Sequence, residues 1–516
     1  MSRMLESHLL GRWHRFDDAG RPLADATTGA EVARIPRSGP DFGEVLRYGR
    51  TVGGPALRES GFGERARILK ELAKFLRGHL EEFHALSTRT GATKRDSVFD
   101  VDGGIGVLFV YGSKGARELP GRGPLPDGEP EQVGKAGTFA VQHVYTPLTG
   151  VAVEINAFNF PVWGMLEKFA PAFLAGVPSL VKPASQTAYL TELVVRRIVE
   201  SGLLPAGALQ LVCAPPGDLA DHLTGQDLLS VTGSAATAAT LRAHPAVAGN
   251  AVRFTAEADS LNCSILGPDA RPGTPEFDLY VEQLVTEMTV KAGQKCTAIR
   301  RAFVPRELLD DVTGAVTAKL AEIRVGDPAD STVHMGPLAG VAQRDEVLRG
   351  LKTLTAEAEL VHGNPDAFAV TGASADSGGF LPPLLLRAGP EARAPHEVEA
   401  FGPVSTLLPY DNAAHAVELA ARGAGSLAGS VVSHDGAFRR EVVHGLAPWH
   451  GRLLLLDRDN AGESTGHGSP LPHTVHGGPG RAGGGEELGG IRAVLHHMQR
   501  TALQGSPAAL REVVSP

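Results

Sequence analysis

One cysteine in an open, polar setting is the first candidate for chemistry in this sequence. Cys296 lies in the segment KAGQKCT, whose small and polar residues leave a thiol sterically accessible. A free cysteine is more often a small buried residue than a nucleophile. We assign that structural role to Cys213, which ends an apolar run, and to Cys263. A catalytic role for Cys296 therefore depends on other residues that could act with it.

Three further segments carry groups that could act with a thiolate. Asn159, in NAFNFPVWG, follows a predicted strand and precedes a helix, and a helix N-terminus stabilises negative charge. Glu257, in FTAEADS, comes just past a predicted strand end, where active-site groups of α/β sheets lie. Glu399 precedes the turn FGPV. Taken singly, these features also fit a turn asparagine, a solvated glutamate and a Gly-Pro turn.

The elements that must position these residues alternate between strands and helices. Apolar runs predict strands at 151–155, 178–182, 209–213, 228–232 and 251–255, and helical periodicity predicts helices at 162–175 and 187–201. This alternation predicts parallel βαβ units and a doubly wound sheet, which binds ligands at the carboxyl ends of its strands. A second α/β region is expected from about 264 to 455.

The flanking segments have different compositions. Residues from about 62 to 95 have helical periodicity, whereas 112–137 is rich in glycine, proline and charge and predicts a surface excursion or projecting hairpin. The tail after residue 470 is glycine-rich and then helical, and we expect it to pack on another subunit.

Bulk composition excludes several classes of protein. A chain of 516 residues needs two or three domains, and a net charge of -9 argues against nucleic acid as the main partner. Three cysteines make no disulfide framework and fit a reducing compartment. The N-terminus does not read as a signal peptide and no stretch is apolar for long enough to cross a bilayer, so we expect a cytoplasmic protein.

Two motifs near the C-terminus resemble a dinucleotide-binding site and a metal site, but we do not interpret them as functional sites. Gly478, Gly480 and Gly483 form a G-x-G-x-x-G pattern, but it neither follows a predicted strand nor opens a βαβ helix. His473 and His476, with His467 nearby, lack cysteine or carboxylate ligands at suitable spacing, so no metal site is expected from them.

The ordered set of segments, from about residue 60 to 500, resembles the aldehyde dehydrogenase superfamily. The set comprises an Asn-Phe-Pro, a Lys-Pro and a Gly-Ser segment, a Glu, a Cys roughly forty positions on, and Glu-x-Phe-Gly-Pro. The resemblance implies an α/β fold with a doubly wound, Rossmann-type NAD(P)-binding domain at 1–262, from which 112–145 projects. It further implies an α/β catalytic domain at 263–455 and a C-terminal return and oligomerisation segment at 456–516, with a homodimer expected.

The resemblance also implies catalytic roles. Cys296 would be the nucleophile and Glu257 the general base. The side-chain N–H of Asn159 and the backbone N–H of Cys296 would stabilise the oxyanion. Attack by the thiolate and loss of hydride would leave a thioester, which a water activated by Glu257 would hydrolyse to the free acid. That base role favours a raised pKa for Glu257.

Six residues are expected to bind the cofactor: Lys182, Ser185, Gly233, Ser234, Glu399 and Phe401. Lys182 would reach the adenosine ribose or its phosphate. NAD-preferring relatives often carry a Glu where this chain has Ser185, and loss of that carboxylate removes repulsion toward a 2′-phosphate. The resemblance therefore favours NADP over NAD, although Ser185 also suits a helix N-cap.

Two departures from the common family pattern concern the substrate. FTAEADS replaces Glu-Leu-Gly-Gly, and LPHTVHGGPGRAGGGEELGG replaces a Pro-Phe-Gly-Gly loop. Both resemble the branch that oxidises CoA-linked semialdehydes made by ring cleavage of aromatic CoA thioesters. Phenylacetate ring-opening members usually carry an added hydratase domain, which this 516-residue sequence is expected to lack. 3,4-Dehydroadipyl-CoA semialdehyde of benzoate degradation, or a close relative, is thus the expected small-molecule substrate.

Other functions stay open from sequence alone. The phenylacetate ring-cleavage semialdehyde or a free aliphatic aldehyde could be the substrate. A cysteine thioester hydrolase would use Cys296 without redox chemistry, and a binding protein could have kept the fold without catalysis. Retention of Cys296, Glu257 and Asn159 together argues against the last of these.

Overall fold

The computed structural model describes residues 3–484 and 489–514. Within these ranges the strands form two seven-stranded sheets and two three-stranded sheets. The chain is therefore of the mixed α/β class that the sequence predicts.

The first large sheet contains all five predicted βαβ strands. Its order is Arg253–Glu257, Leu228–Thr232, Ala152–Ile155, Ser179–Lys182, Leu209–Leu211, Ser7–Leu9 and Arg12–His14. The first five strands are parallel, and the last two add to the edge in antiparallel fashion. Chain order reverses between Ala152–Ile155 and Leu228–Thr232. Their carboxyl ends therefore flank the topological switch point, where open α/β sheets bind ligands.

The second large sheet is also mainly parallel. Its order is Ala358–His362, Leu384–Ala388, Val404–Tyr410, Arg301–Pro305, Cys263–Leu266, Ser426–Val432 and His450–Leu456. Only Ala358–His362 pairs in the antiparallel direction. Its buried strands are rich in leucine, valine and alanine, as parallel strands covered on both faces require.

The two small sheets join distant parts of the chain. Arg3–Met4, Glu31–Ile35 and Arg21–Ala24 form one, and the hairpin of Leu125–Gln132 and Ala140–Pro147 pairs with Met498–Gly505 in the other. The glycine- and proline-rich excursion begins later than residue 112, because Gly112–Glu118 complete the helix Gly103–Glu118. The C-terminal tail is tied to the hairpin along the full length of the strand Met498–Gly505.

The helices cover these sheets. The α-helices are Phe42–Tyr48, Gly54–Glu59, Phe62–Arg77, Leu80–Ser87, Lys94–Ser97, Gly103–Glu118, Trp163–Ala175, Ala188–Glu200, Ala235–Arg242, Pro245–Gly249, Pro275–Thr289, Leu309–Leu320, Val341–Leu354, Ala394–Glu397, Ala413–Ala421, Gly436–Leu446, Gly490–His496 and Pro507–Val514. Among residues 3–484 and 489–514, no helix combines the length and apolar composition that crossing a membrane requires.

Candidate active site

A pocket of about 440 Å³, counting its open mouth, contains the three residues expected to be catalytic. Cys296, Glu257 and Asn159 all line it. Phe99 and Trp163, whose rings stack with centroids 5.3 Å apart, form part of its apolar wall. A nucleophile, a carboxylate and an amide thus share one largely apolar cavity.

The loop before Cys296 is held by its backbone. Gly293 has a φ of +67°, and a Cβ at this position would lie 2.2 Å from the carbonyl oxygen of Gly402, so only glycine fits. Asn262 Nδ2 donates to the carbonyl oxygens of Cys296 at 2.8 Å and of Ala298 at 3.0 Å. These contacts fix the position from which the Cys296 side chain enters the pocket.

The groups around the Cys296 thiol have opposing effects on its pKa. Burial raises its pKa, the negative charge of Glu257 adds to this effect, and the pKa of the thiol is about 12. The positive charge of His476 acts in the opposite direction and favours the thiolate. His476 is therefore the neighbouring group that favours ionisation of this thiol.

Glu257 is the last residue of the strand Arg253–Glu257 and not just past its end. Its side chain is buried, and burial alone raises the pKa of a carboxyl group. The charge and hydrogen bond of His476, together with the charge of Lys168 and a hydrogen bond from Cys296, outweigh burial, however, and lower the pKa of Glu257 to about 2. The raised pKa expected from a base role is therefore wrong for this state: the carboxylate is held ionised by an adjacent cation.

His476 is the site residue that sequence reasoning missed as a partner of Cys296. Its Nδ1 lies 2.8 Å from Glu167 Oε2, and its Nε2 lies 3.1 Å from Glu257 Oε2. Burial lowers the pKa of His476, but the two carboxylates outweigh burial and raise it well above 6.5. One feature of the sequence could have pointed to His476. It directly precedes Gly-Gly in LPHTVHGG, at the place where the common family pattern Pro-Phe-Gly-Gly has phenylalanine.

Asn159 lies in the turn after Ala152–Ile155, close to the backbone of the cysteine loop. Its Nδ2 donates to the carbonyl oxygen of Gln294 at 3.0 Å, and its side chain also lines the pocket. The amide is therefore oriented by the loop that carries the nucleophile, which supports its expected place beside a developing oxyanion.

Lys182 and Ser185 follow the next strand of the sheet. Lys182 is buried, which lowers the pKa of its amine, and Nζ donates to the carbonyl oxygen of Pro183 at 3.1 Å. Ser185 begins the 3₁₀ turn Ser185–Thr187, whose cap residue is Ala184. The alternative that Ser185 is only a helix N-cap is therefore wrong, since the preceding residue occupies that position.

Gly233 and Ser234 lie on the other side of the switch point, after Leu228–Thr232. Ser234 caps the helix Ala235–Arg242 and accepts from the Thr237 N–H at 3.2 Å. A Cβ on Gly233 would meet no atom within 4 Å, so this backbone is open to a ligand. Asp259 accepts from the Ala235 N–H at 2.9 Å and occupies one donor of the helix N-terminus.

Glu399 and Phe401 are linked to the cysteine loop through Arg300. Glu399 accepts from the Ser260 N–H at 2.9 Å and lies 3.4 Å from Arg300 Nε. Burial raises the pKa of Glu399 to about 7, against the opposing charge of Arg300. The Arg300 guanidinium also stacks over the ring of Phe401 at 5.4 Å. One buried arginine therefore orients both residues.

Comparisons with known proteins identify the family. The profile described as "Aldehyde dehydrogenase family" matches residues 21–447. A 3,4-dehydroadipyl-CoA semialdehyde dehydrogenase of Aromatoleum evansii is 44% identical over 515 residues, covering 98% of this chain and 100% of the relative. The chain belongs to the aldehyde dehydrogenase family.

More distant members share the fold. A succinate-semialdehyde dehydrogenase [NADP(+)] 1 of Mycobacterium bovis is 27% identical over 453 residues, which is 84% of this chain and 89% of that protein. The crystal structure of PnpE in complex with nicotinamide adenine dinucleotide superposes with a TM-score of 0.82 at 23% identity and covers 98% of both chains. The family fold thus extends along almost the whole molecule.

The remaining cysteines and histidines of interest lie apart from this chemistry. Cys213 and Cys263 are fully buried, which confirms the structural role expected of both. His467 is buried against the Ser430 hydroxyl, whereas His473 is exposed. Gly480–Ala482 form a short 3₁₀ turn, so the glycine pattern around them opens no βαβ helix.

Proposed function

We propose that this aldehyde dehydrogenase oxidises a CoA-linked semialdehyde, 3,4-dehydroadipyl-CoA semialdehyde or a close relative, to the carboxylic acid with NADP. The observation that carries the proposal is the end-to-end identity of 44% with a relative of that name. The shared pocket of Cys296, Glu257 and Asn159 supports the chemistry.

In the proposed reaction, the Cys296 thiolate attacks the aldehyde carbon. The Asn159 side-chain N–H and the Cys296 backbone N–H donate to the oxygen as it becomes negative, and one such donor typically contributes ~3 kcal/mol. A nicotinamide cofactor held at the switch point would supply the acceptor for the hydride that leaves the tetrahedral carbon, and loss of that hydride would leave a thioester on Cys296. Glu257, already ionised beside His476, then takes a proton from the water that attacks the thioester, and the free acid leaves.

The residues around the switch point fit a phosphorylated dinucleotide. Gly233 leaves space for the close approach of a pyrophosphate. Arg300 orients the Glu399 carboxylate, which we propose binds the nicotinamide ribose. Ser185 brings no charge to the place where a 2′-phosphate would lie beside Lys182. These features support NADP over NAD.

A second candidate is a redox-independent cysteine thioester hydrolase. The observation that favours it is His476, which lies between Glu167 and the Cys296–Glu257 pair as the histidine of a cysteine hydrolase would. The hydrolase hypothesis predicts that the protein hydrolyses acyl thioesters without any dinucleotide. If the protein is a dehydrogenase, the alternative substrates are the phenylacetate ring-cleavage semialdehyde and a free aliphatic aldehyde.

The test is an assay of the purified protein for NADPH formation with a panel of free and CoA-linked semialdehydes. We expect NADP to be reduced only with the CoA-linked semialdehydes, and we expect a lower KM for NADP than for NAD. No reduction with any aldehyde would remove the dehydrogenase proposal, and thioester hydrolysis without cofactor would establish the hydrolase. Equal use of short free aldehydes would contradict the CoA specificity.

A further inference from the structure

Three donor atoms of different chemistry converge in the active-site pocket, two of them on buried side chains and the third on the partly exposed Cys296. One ligand atom each of Cys296, Glu257 and His476 lie within 4.8 Å of one another. His476 Nε2 and Glu257 Oε2 are 3.1 Å apart. A tetrahedral Zn²⁺ with Zn–N and Zn–O near ~2.0 Å and Zn–S near ~2.3 Å requires separations of roughly 3.3–3.7 Å between ligand atoms. Small side-chain movements would therefore complete three corners of such a tetrahedron.

The two facing donor atoms are buried and contact each other, but not in hydrogen-bond geometry. Glu257 and His476 are only 4% and 6% exposed. Among the described residues, Glu257 Oε2 and His476 Nε2 have no hydrogen-bond partner with suitable alignment, although the two atoms are within ion-pair distance. Buried polar atoms without aligned partners are uncommon, and an ion that bonds to both would satisfy them.

Glu167 gives this histidine the support that metal ligands have. It accepts from His476 Nδ1 at 2.8 Å and from Trp163 Nε1 at 3.0 Å. A carboxylate on Nδ1 keeps the proton on that nitrogen and directs Nε2 to the metal, which is the usual arrangement at zinc sites. An incoming ion would compete only for the Nε2 proton of the ring.

We propose that Cys296, Glu257 and His476 form a binding site for Zn²⁺, which caps the nucleophile and reversibly inhibits the enzyme. The sulfur binds as thiolate, so its proton and the Nε2 proton of His476 pass to water when the metal binds. The fourth position faces the pocket. The ion takes no part in aldehyde oxidation, because it occupies the sulfur and the carboxylate that the reaction needs.

The proposal is tested by equilibrium dialysis of the full-length protein against ZnCl₂, with the bound metal measured by atomic absorption. We expect one Zn²⁺ per chain, slower alkylation of Cys296 by iodoacetamide, and recovery of dehydrogenase activity on addition of EDTA. His476→Gln and Cys296→Ser should each weaken binding at least tenfold, and Glu167→Gln about tenfold, the lower range for loss of a supporting carboxylate.

The matched control is His434→Gln. The exposed residues His434 and Asp459, with the buried Asp457, form a second group that brings ligand atoms within 4.8 Å of one another. The proposal would be overturned if His434→Gln abolished zinc binding. It would also be overturned if His476→Gln and Cys296→Ser both left zinc binding unchanged. Absence of saturable binding would do the same. Dialysis and alkylation need no turnover, so failure of the proposed dehydrogenase activity is distinguished from failure of the zinc site.

Discussion

At the scale of single residues, the site depends on a buried cation between two carboxylates. His476 contacts Glu167 through one ring nitrogen and Glu257 through the other. Without the imidazolium, burial would favour a protonated Glu257. The ion pair therefore keeps Glu257 ionised in an apolar pocket.

The role of Asn159 is tested by its replacement with alanine. Loss of one oxyanion donor should lower kcat by about 10²–10³-fold with a much smaller effect on KM, because the lost interaction forms in the transition state. Steady-state kinetics give both constants, and a thermal unfolding curve checks the fold. Asn412→Ala, which removes an exposed helix cap, serves as control. An unchanged kcat in Asn159→Ala would remove this residue from the mechanism.

Cofactor choice is tested at Ser185. Ser185→Glu places a carboxylate near the expected 2′-phosphate, and like-charge contact should lower kcat/KM for NADP at least tenfold while sparing NAD. Ser185→Thr, which adds bulk without charge, should keep the preference of the parent protein. An equal decrease in kcat/KM for NADP and for NAD in Ser185→Glu would show that residue 185 does not contact the 2′-phosphate.

The three residues that we propose to be catalytic stand out in the sequence for a specific reason. Cys296, Glu257 and Asn159 lie in short segments whose order along the chain is itself informative. His476 could not be predicted as their partner, because its contact with Glu167 joins residues 309 positions apart. Its raised pKa depends on that tertiary contact and not on any local pattern.

At the scale of elements, apolar runs predicted the parallel strands but not the sheet edges. Ser7–Leu9 and Arg12–His14 are too short and polar to be recognised, yet they extend the first sheet. Strand ends also differed from the prediction. The strand Arg253–Glu257 extends as far as Glu257 because its backbone pairs with Leu228–Thr232 up to Thr232. Pairing partners, which sequence does not supply, determined these limits.

The central strand Ala152–Ile155 contains a buried carboxyl group that should make stability depend on pH. Burial raises the pKa of Glu154 to about 8 in the folded protein, against the opposing charge of Lys168. The folded state thus binds the proton more tightly than the unfolded state. Between the unfolded pKa near 4.5 and pH 8, this group therefore lowers the free energy of unfolding as pH rises, by at most about 1.4 kcal/mol per pH unit.

Glu154→Gln should remove that dependence. We expect the variant to gain stability relative to the parent as pH rises from 5 to 8, measured by urea unfolding at each pH. Glu359→Gln, in the strand Ala358–His362, is the control because its exposed side chain keeps contact with water. Parallel curves for the parent and Glu154→Gln would contradict the effect of burial at this position.

At the scale of the whole molecule, the subunit contact was expected of the C-terminal tail, and we propose that the projecting hairpin contributes to it because tail and hairpin share one sheet. Val133 and Phe139, at its tip, are 49% and 43% exposed, and most of Leu125–Gln132 is exposed as well. The C-terminal strand Met498–Gly505 extends the same sheet. Apolar side chains on a projecting sheet are typical of surfaces that another copy covers.

Phe139→Glu should therefore shift the expected homodimer toward monomer. Placing a charge in an apolar contact costs several kcal/mol when it is left unpaired, so light scattering after gel filtration should detect the change at micromolar concentration. Val341→Glu, at an exposed apolar position on a different element, should leave the mass unchanged. A monomeric parent protein, or a Phe139→Glu variant of unchanged mass, would contradict this assignment.

The most direct test of the whole account is a single turnover of the Glu257→Gln variant, followed by intact-protein and peptide mass spectrometry. Removing the carboxylate leaves His476 to stabilise the thiolate and takes away the base that activates water. We predict a burst of NADPH of about one equivalent and the mass of the acyl group on the Cys296 peptide. A full steady-state rate in this variant, or a burst without added mass on Cys296, would contradict the thioester mechanism.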